Sequence, residues 1–145
     1  MRELGVSYSL STQQIISCDK KDLGCNGGNT ETAYAYLEKA GGLVSAKDYP
    51  DTSHSNGMSG TCSSSKASDP LVSVKSFKTI RSAGLSTSAT ESAMASYVSK
   101  TGPLSVCVDA AKWQTYKNGI MTNCPTQLDH CVQAVGINTG SGYWR

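Results

Sequence analysis

The chain has 145 residues, 17% of them charged, and a formal net charge of +2, so it falls in the size range of one ordinary domain. Its Lys and Arg residues are scattered rather than gathered into a stripe or tail, which leaves a nucleic-acid or anionic-membrane partner without support. No apolar run approaches the roughly 20 residues that span a bilayer, and Met1-Arg2-Glu3-Leu4 leads into no apolar signal segment, so any targeting signal is expected outside this sequence.

Ser11-Thr12-Gln13-Gln14 has the form of a capping box, in which Ser11 accepts a backbone N–H and Gln14 reaches back. It predicts a short helix that carries Ile15 and Ile16 inward. Leu23-Gly24-Cys25-Asn26-Gly27-Gly28 is a glycine-rich turn, where missing side chains permit positive φ and close approach of another chain. A second helix is predicted over Thr30–Lys39, with Ala33, Tyr34, Leu37 and Ala40 at helical spacing and Gly41-Gly42 as the stop.

From Asp48 to Asp69 the sequence turns to Ser, Thr, Gly, Asn and Pro and reads as a long irregular loop, with His54 a solvated loop residue. Such a loop is uncommon unless pinned, and Cys62 inside it offers a disulfide. Leu71–Ile80 alternates enough to predict a strand, followed by a Ser/Gly-rich link over Arg81–Ser88 that marks a boundary between two halves, 1–80 and 81–145. Ser88-Ala89-Thr90-Glu91 is a second capping box, opening a helix with Ala93, Met94, Tyr97 and Val98 on its apolar face and Gly102-Pro103 beyond its end. The remainder reads as β structure: strands over Leu104–Val108 and His130–Ile137, a turn at Asn118-Gly119, and a strand beginning at Tyr143-Trp144-Arg145.

Six cysteines, Cys18, Cys25, Cys62, Cys107, Cys124 and Cys131, include no C-x-x-C pair, so a disulfide framework in an oxidising compartment is the better reading than a zinc site. The sequence alone does not choose the pairing. His54 and His130 have no ligand-spaced partners, and neither a metal nor another cofactor is expected.

Taken in order, Leu10-Ser11-Thr12-Gln13-Gln14 with Cys18-Asp19, Gly24-Cys25-Asn26-Gly27-Gly28, Gly41-Gly42 before Tyr49-Pro50, Gly60-Thr61-Cys62, Gly102-Pro103-Leu104-Ser105-Val106, Tyr116 with Gly119-Ile120, Leu128-Asp129-His130, Ala134-Val135-Gly136 and Tyr143-Trp144 resemble the papain and cathepsin family of cysteine proteases over most of the chain. The resemblance implies an α+β, papain-like two-domain fold: a helical left domain, here 1–80, and an antiparallel β-barrel right domain, here 81–145, facing each other across a substrate cleft. It also implies peptide-bond hydrolysis by a Cys-His-Asn mechanism. The thiolate attacks the scissile carbonyl, the imidazole takes and returns the proton, and a third group orients the imidazole.

His130 matches the family's catalytic histidine by its setting in Leu128-Asp129-His130-Cys131-Val132. The nucleophile signature C-G-[SA]-C-[WY] belongs roughly 130 to 150 residues upstream of that histidine, and no such signature occurs in this sequence. The nucleophile, the oxyanion glutamine and the orienting asparagine are therefore expected outside the chain, which then reads as a fragment incomplete at both ends and inactive alone. Asp129 is read either as a charge favouring the imidazolium or as a solvated turn carboxylate. Cys25 matches a structural cysteine, and Cys124 one whose partner lies beyond the chain.

By the same resemblance Cys18 and Cys62 form a disulfide, and Gly27 and Gly28 bind the substrate backbone in extended form. Asn29, Thr30, Cys107, Leu128 and Cys131 line the pocket for the second residue before the scissile bond, and Asp129 stands with them among the substrate-binding residues. Cys107 and Cys131 lie on strands that the family fold puts side by side, either bonded, which would narrow the pocket, or as free buried thiols. Trp113, Gln114 and Tyr116 look like the barrel's short helix, with Trp113 read as core. The implied partners are a peptide or protein substrate and, in the complete enzyme, a propeptide or cystatin-like inhibitor. A monomer is expected, in a lysosome-like vacuole or outside the cell. The alternatives are a non-catalytic papain-like homologue acting as a binding or regulatory module, and a small secreted disulfide-stapled protein.

Overall fold

A computed structural model describes residues 7–81, 84 and 86–145; the Met1–Leu4 segment and the link residues Ser82, Ala83 and Leu85 considered above lie outside these. The chain divides into two compact units, Met1–Lys78 and Thr79–Arg145.

In the first unit, helix α1 spans Thr12–Cys18. Ser11 caps it as the sequence predicts, accepting the Gln14 N–H at 3.0 Å and donating its hydroxyl to the Tyr49 carbonyl at 2.7 Å. The face of α1 that turns inward differs from the expectation. Gln13 and Gln14 are 1% and 0% exposed, whereas Ile15 and Ile16 are only half-buried. The reason is a polar demand in the loops packed around α1. Gln13 Oε1 accepts the Thr52 and Ser53 amides at 2.8 and 2.9 Å, and its Nε2 donates to Ser53 Oγ at 2.7 Å. Gln14 Oε1 accepts the Val44 amide at 2.9 Å rather than reaching back to the cap, and its Nε2 donates to the Gly42 carbonyl at 3.1 Å. The two amides thus satisfy backbone groups of irregular segments that have no sheet or helix to pair with.

Helix α2 spans Thr30–Ala40 and ends on Gly41 in the left-handed conformation, φ 80°, where a glycine carries no Cβ penalty. Next to it, the backbone at Gly42 (φ 138°) is pressed against the Val72 carbonyl, leaving no room for a side chain. The Asp48–Asp69 loop contains one short helix, α3 over Ser53–Asn56, and is pinned by a disulfide between Cys18 and Cys62. Cys18, Val44 and Tyr49 form the buried cluster beside it. The strand expected over Leu71–Ile80 does not form. Its only ladder contact among the described residues is a single bridge from Val72 to Leu43, and alternation without a partner strand gives no sheet.

In the second unit, helix α4 spans Thr87–Lys100 and starts two residues earlier than expected. Its cap is Ser86, which accepts the Ala89 amide at 3.2 Å, and not Ser88. Strands β1 (Leu104–Val108) and β2 (His130–Ala134) pair antiparallel, and β3 (Ile137–Asn138) pairs with β4 (Tyr143–Trp144). The single strand expected over His130–Ile137 is therefore broken at Val135-Gly136, whose amides turn instead to the Arg145 carbonyl at 2.7 and 3.3 Å. Buried apolar side chains are sparse here, Val98 and Ala134 among the described residues.

Candidate active site

The glycine-rich turn of the first unit is a 3₁₀ turn over Gly24–Asn26 that closes through Leu23 N–H to the Gly27 carbonyl at 2.9 Å. Gly27 sits at φ 109°, a conformation that an L side chain rarely adopts. Gly28 is excluded from carrying a side chain for a different reason: an added Cβ would lie 2.6 Å from Asp22 Cγ. The Gly28 backbone N–H and C=O are exposed and make no hydrogen bond among the described residues. Bare, unpaired backbone is what an extended peptide needs for strand-like pairing.

Asp22 anchors this turn to α2. Its Oδ1 accepts the Asn29 amide at 2.9 Å and the Thr32 hydroxyl at 2.6 Å. Desolvation pushes the Asp22 carboxyl pKa up, and the hydrogen bonds from Thr32, Asn29 and Asp19 outweigh that, holding it below the ordinary value. Asn29 is the N-cap of α2, accepting the Glu31 amide at 2.8 Å, and Thr30 is the first helical residue. Both pocket candidates of this unit are thus also structural parts of a helix start. Cys25 is a free, exposed thiol whose amide donates to Ser59 Oγ at 2.9 Å.

In the second unit His130 opens β2, opposite Val108 of β1, and is exposed. The Trp113 ring stands edge-on to the imidazole at 5.9 Å between centroids and 86° between planes. This corrects the reading of Trp113 as core. It sits on a three-residue 3₁₀ turn, Trp113–Thr115, and is 41% exposed, because the described part of the unit places no apolar layer beneath that turn.

Asp129 makes the contact that the turn-carboxylate reading given above expects. Its Oδ1 accepts the Ala110 amide at 2.8 Å while its own amide donates to the Val108 carbonyl at 3.1 Å. A second carboxylate, Asp109, was missed in the sequence. It is 7% exposed and accepts the Ala111 amide at 3.1 Å and the Gln127 amide at 2.9 Å. The two aspartates bracket the 109–129 excursion, and that bracketing was the available signal. Leu128 is 63% exposed. Cys107 and Cys131 face each other in the ladder and are joined as a disulfide, with Cα atoms 3.9 Å apart. Cys124, like Cys25, is free and exposed. Among the described residues no group of three His, Cys, Asp or Glu side chains is placed to hold a metal ion, and no helix is long and apolar enough to cross a membrane.

Comparison with known proteins places these features in a family. The sequence pattern of the papain family of cysteine proteases matches residues 1–145. Cysteine proteinase 1 of Zea mays is 39% identical over 145 residues, an alignment covering 92% of this chain and 36% of the maize protein. Vignain of Vigna mungo is 35% identical and covered to the same 36% of its length, so the chain spans about a third of these relatives. Among solved structures, the bromelain protease of Ananas comosus in complex with the E64 inhibitor superposes with a TM-score of 0.78 at 30% identity, covering 98% of this chain and 62% of that one. The ragweed pollen cysteine protease Amb a 11 in its proform gives a TM-score of 0.73 at 26% identity, with 97% and 42% covered. The chain belongs to the papain family of cysteine proteases.

Proposed function

We propose that this chain is the histidine-bearing part of a cysteine-type endopeptidase that hydrolyses extended peptide, with His130 as the base that takes the thiol proton and returns it to the leaving amine. The observation that carries this reading is an exposed imidazole at the head of β2, in its Leu128-Asp129-His130 setting, within a chain matched by the family from end to end. We assign the helices of the first unit to the left domain and the strands of the second to the right. Gly27 and Gly28 serve the substrate backbone, and Asn29, Thr30, Cys107, Leu128 and Cys131 its side chain.

The nucleophile is not among the six cysteines here. Four are bound in disulfides, and of the two free thiols neither Cys25, in its structural motif, nor Cys124, in irregular backbone, begins an α-helix whose N-terminus would activate a thiolate. A propeptide or an epoxide inhibitor of the E64 kind fits the same exposed backbone strip. The disulfides favour an oxidising compartment, vacuolar or extracellular.

The test is His130→Ala in the longest natural chain that carries these residues. It should lower kcat/KM on a dipeptidyl fluorogenic amide by about 10²–10⁴-fold, while Cys25→Ala leaves it unchanged. Equal activity of wild type and His130→Ala rejects the assignment, and an inactive, unlabelled wild type points to a non-catalytic homologue that binds peptide. The 145-residue chain alone should neither cleave nor take an epoxide label. Labelling abolished by Cys25→Ala would overturn the account of that cysteine.

A further inference from the structure

Successive side chains of a strand point to opposite faces, so the register of β1 and β2 puts His130 on one face with Val108, Val106 and Val132, and Cys107 and Cys131 on the other, one rung away. His130 therefore sits at the neck of the 109–129 excursion with a different kind of clamp on each side. Toward the excursion the clamps are polar: Asp129 N–H to the Val108 carbonyl, and the Asp129 and Asp109 carboxylates on the Ala110, Ala111 and Gln127 amides. Toward the body of the ladder the clamp is the Cys107–Cys131 bond.

A two-stranded ribbon is marginal by itself in water. Along this one only Ala134, at 5% exposure, is fully buried. Apolar packing therefore does little to hold the register at His130, and the covalent rung next to it does much. Cys107 is exposed, so the bond is open to attack from solvent.

We infer that the Cys107–Cys131 disulfide is a positioning element for His130, holding its ring against the Trp113 edge, and that a dithiol reductant releases it; the catalytic meaning rests on the reading of His130 above. In the releasing step one thiolate of the reductant attacks a sulfur of the bond, breaking it and forming a mixed disulfide. The second thiolate of the reductant displaces that sulfur. Two protons pass from the reductant to the released cysteines, and the reductant leaves oxidised as a cyclic disulfide. The protein is reduced by two electrons, and no other partner is needed.

The experiment uses the His54→Gln chain, in which His130 gives the only histidine ring signals. Peptide mapping without reductant should find Cys107 and Cys131 linked; both thiols alkylatable in unreduced protein would overturn the inference. Nuclear Overhauser cross-peaks between the His130 and Trp113 rings should be present in the oxidised chain and lost with dithiothreitol or in the Cys107→Ser/Cys131→Ser variant. They should survive in Cys18→Ser/Cys62→Ser, whose effect falls on the stability of the first unit. Cross-peaks unchanged after Cys107 and Cys131 are shown to be reduced would also overturn it, and because the reductant acts on native protein, a variant that fails to fold does not protect the idea. In the longest natural chain, Cys107→Ser/Cys131→Ser should lower kcat, and because both cysteines are also assigned to the substrate pocket, the ring contacts, not KM, decide the positioning role. The ring contacts are read without any activity, so their outcome stands apart from that of the His130→Ala test.

Discussion

The two units solve the same problem, holding irregular backbone in place, with opposite materials. In Met1–Lys78 the loops converge on two buried glutamines and a buried serine cap, with the Cys18–Cys62 bond and the Tyr49 ring beside them. In Thr79–Arg145 the caps and clamps are mostly exposed, and two short ribbons carry the architecture. A buried hydrogen bond whose partner is removed leaves an unsatisfied group, while an exposed one is replaced by water. The first unit should therefore be brittle to polar substitutions and the second tolerant of them.

Gln13→Leu should have the largest effect. It strips the acceptor from Thr52 N–H and Ser53 N–H, while the Ser17 and Ser53 hydroxyls keep their bonds to the Ser59 and Met58 carbonyls, and at about 1–3 kcal/mol for each amide left unpaired it should strongly destabilise the first unit. Amide hydrogen exchange should show protection lost within Met1–Lys78 and kept in β1 and β2; equal loss in both units would mean that the units are not independently held.

The two serine caps should differ in the same sense. Ser11→Ala removes a buried cap that also serves the Tyr49 carbonyl and should cost about 1–2 kcal/mol, whereas Ser86→Ala at an exposed helix start should cost about 0.5 kcal/mol. Urea midpoints resolved by unit check this, and a Ser86 effect as large as that of Ser11 would remove burial as the explanation.

The smallest expected effect is a pH dependence at the glycine turn. Because the Asp22 carboxyl titrates below the ordinary 3.8 in the folded chain, its unfolded form binds the proton first as pH falls. Its contribution is complete above 3.8, shrinks as pH drops toward the folded value and is absent below it. Asp22→Asn should flatten the acid limb of first-unit stability measured by circular dichroism, and an unchanged limb would show that Asp22 does not anchor the turn.

What was legible in the sequence follows from how local each signal is. Ser11, Gly41 and the Gly24–Gly28 turn act on their own neighbours, so their chemistry reads directly, and the family resemblance supplied the Cys18–Cys62 pairing. The inward turn of Gln13 and Gln14 was not legible, since it depends on unpaired amides roughly 30 and 40 positions downstream and inverts the usual burial preference. The Leu71–Ile80 alternation misled because period two marks a strand only when another strand lies alongside. Ser88 and Ser86 offered two capping oxygens two residues apart, and pattern alone could not choose between them. At the site, the position of His130 came from its flanking motif. Asp109 carried no periodicity to betray it, and Trp113 was misread because a large apolar ring is more often buried than set beside a histidine.

Asn29 places a limit on how this protein can diverge. Its side-chain oxygen holds the first turn of α2 together at the position that the family resemblance assigns to substrate selection. Residues with a short side-chain oxygen, Asp, Ser or Thr, keep the helix start, while an aliphatic or aromatic replacement gives up about 1 kcal/mol of cap. Drift toward a new substrate preference at this position must therefore either stay within that small alphabet or be preceded by a stabilising change elsewhere in the first unit.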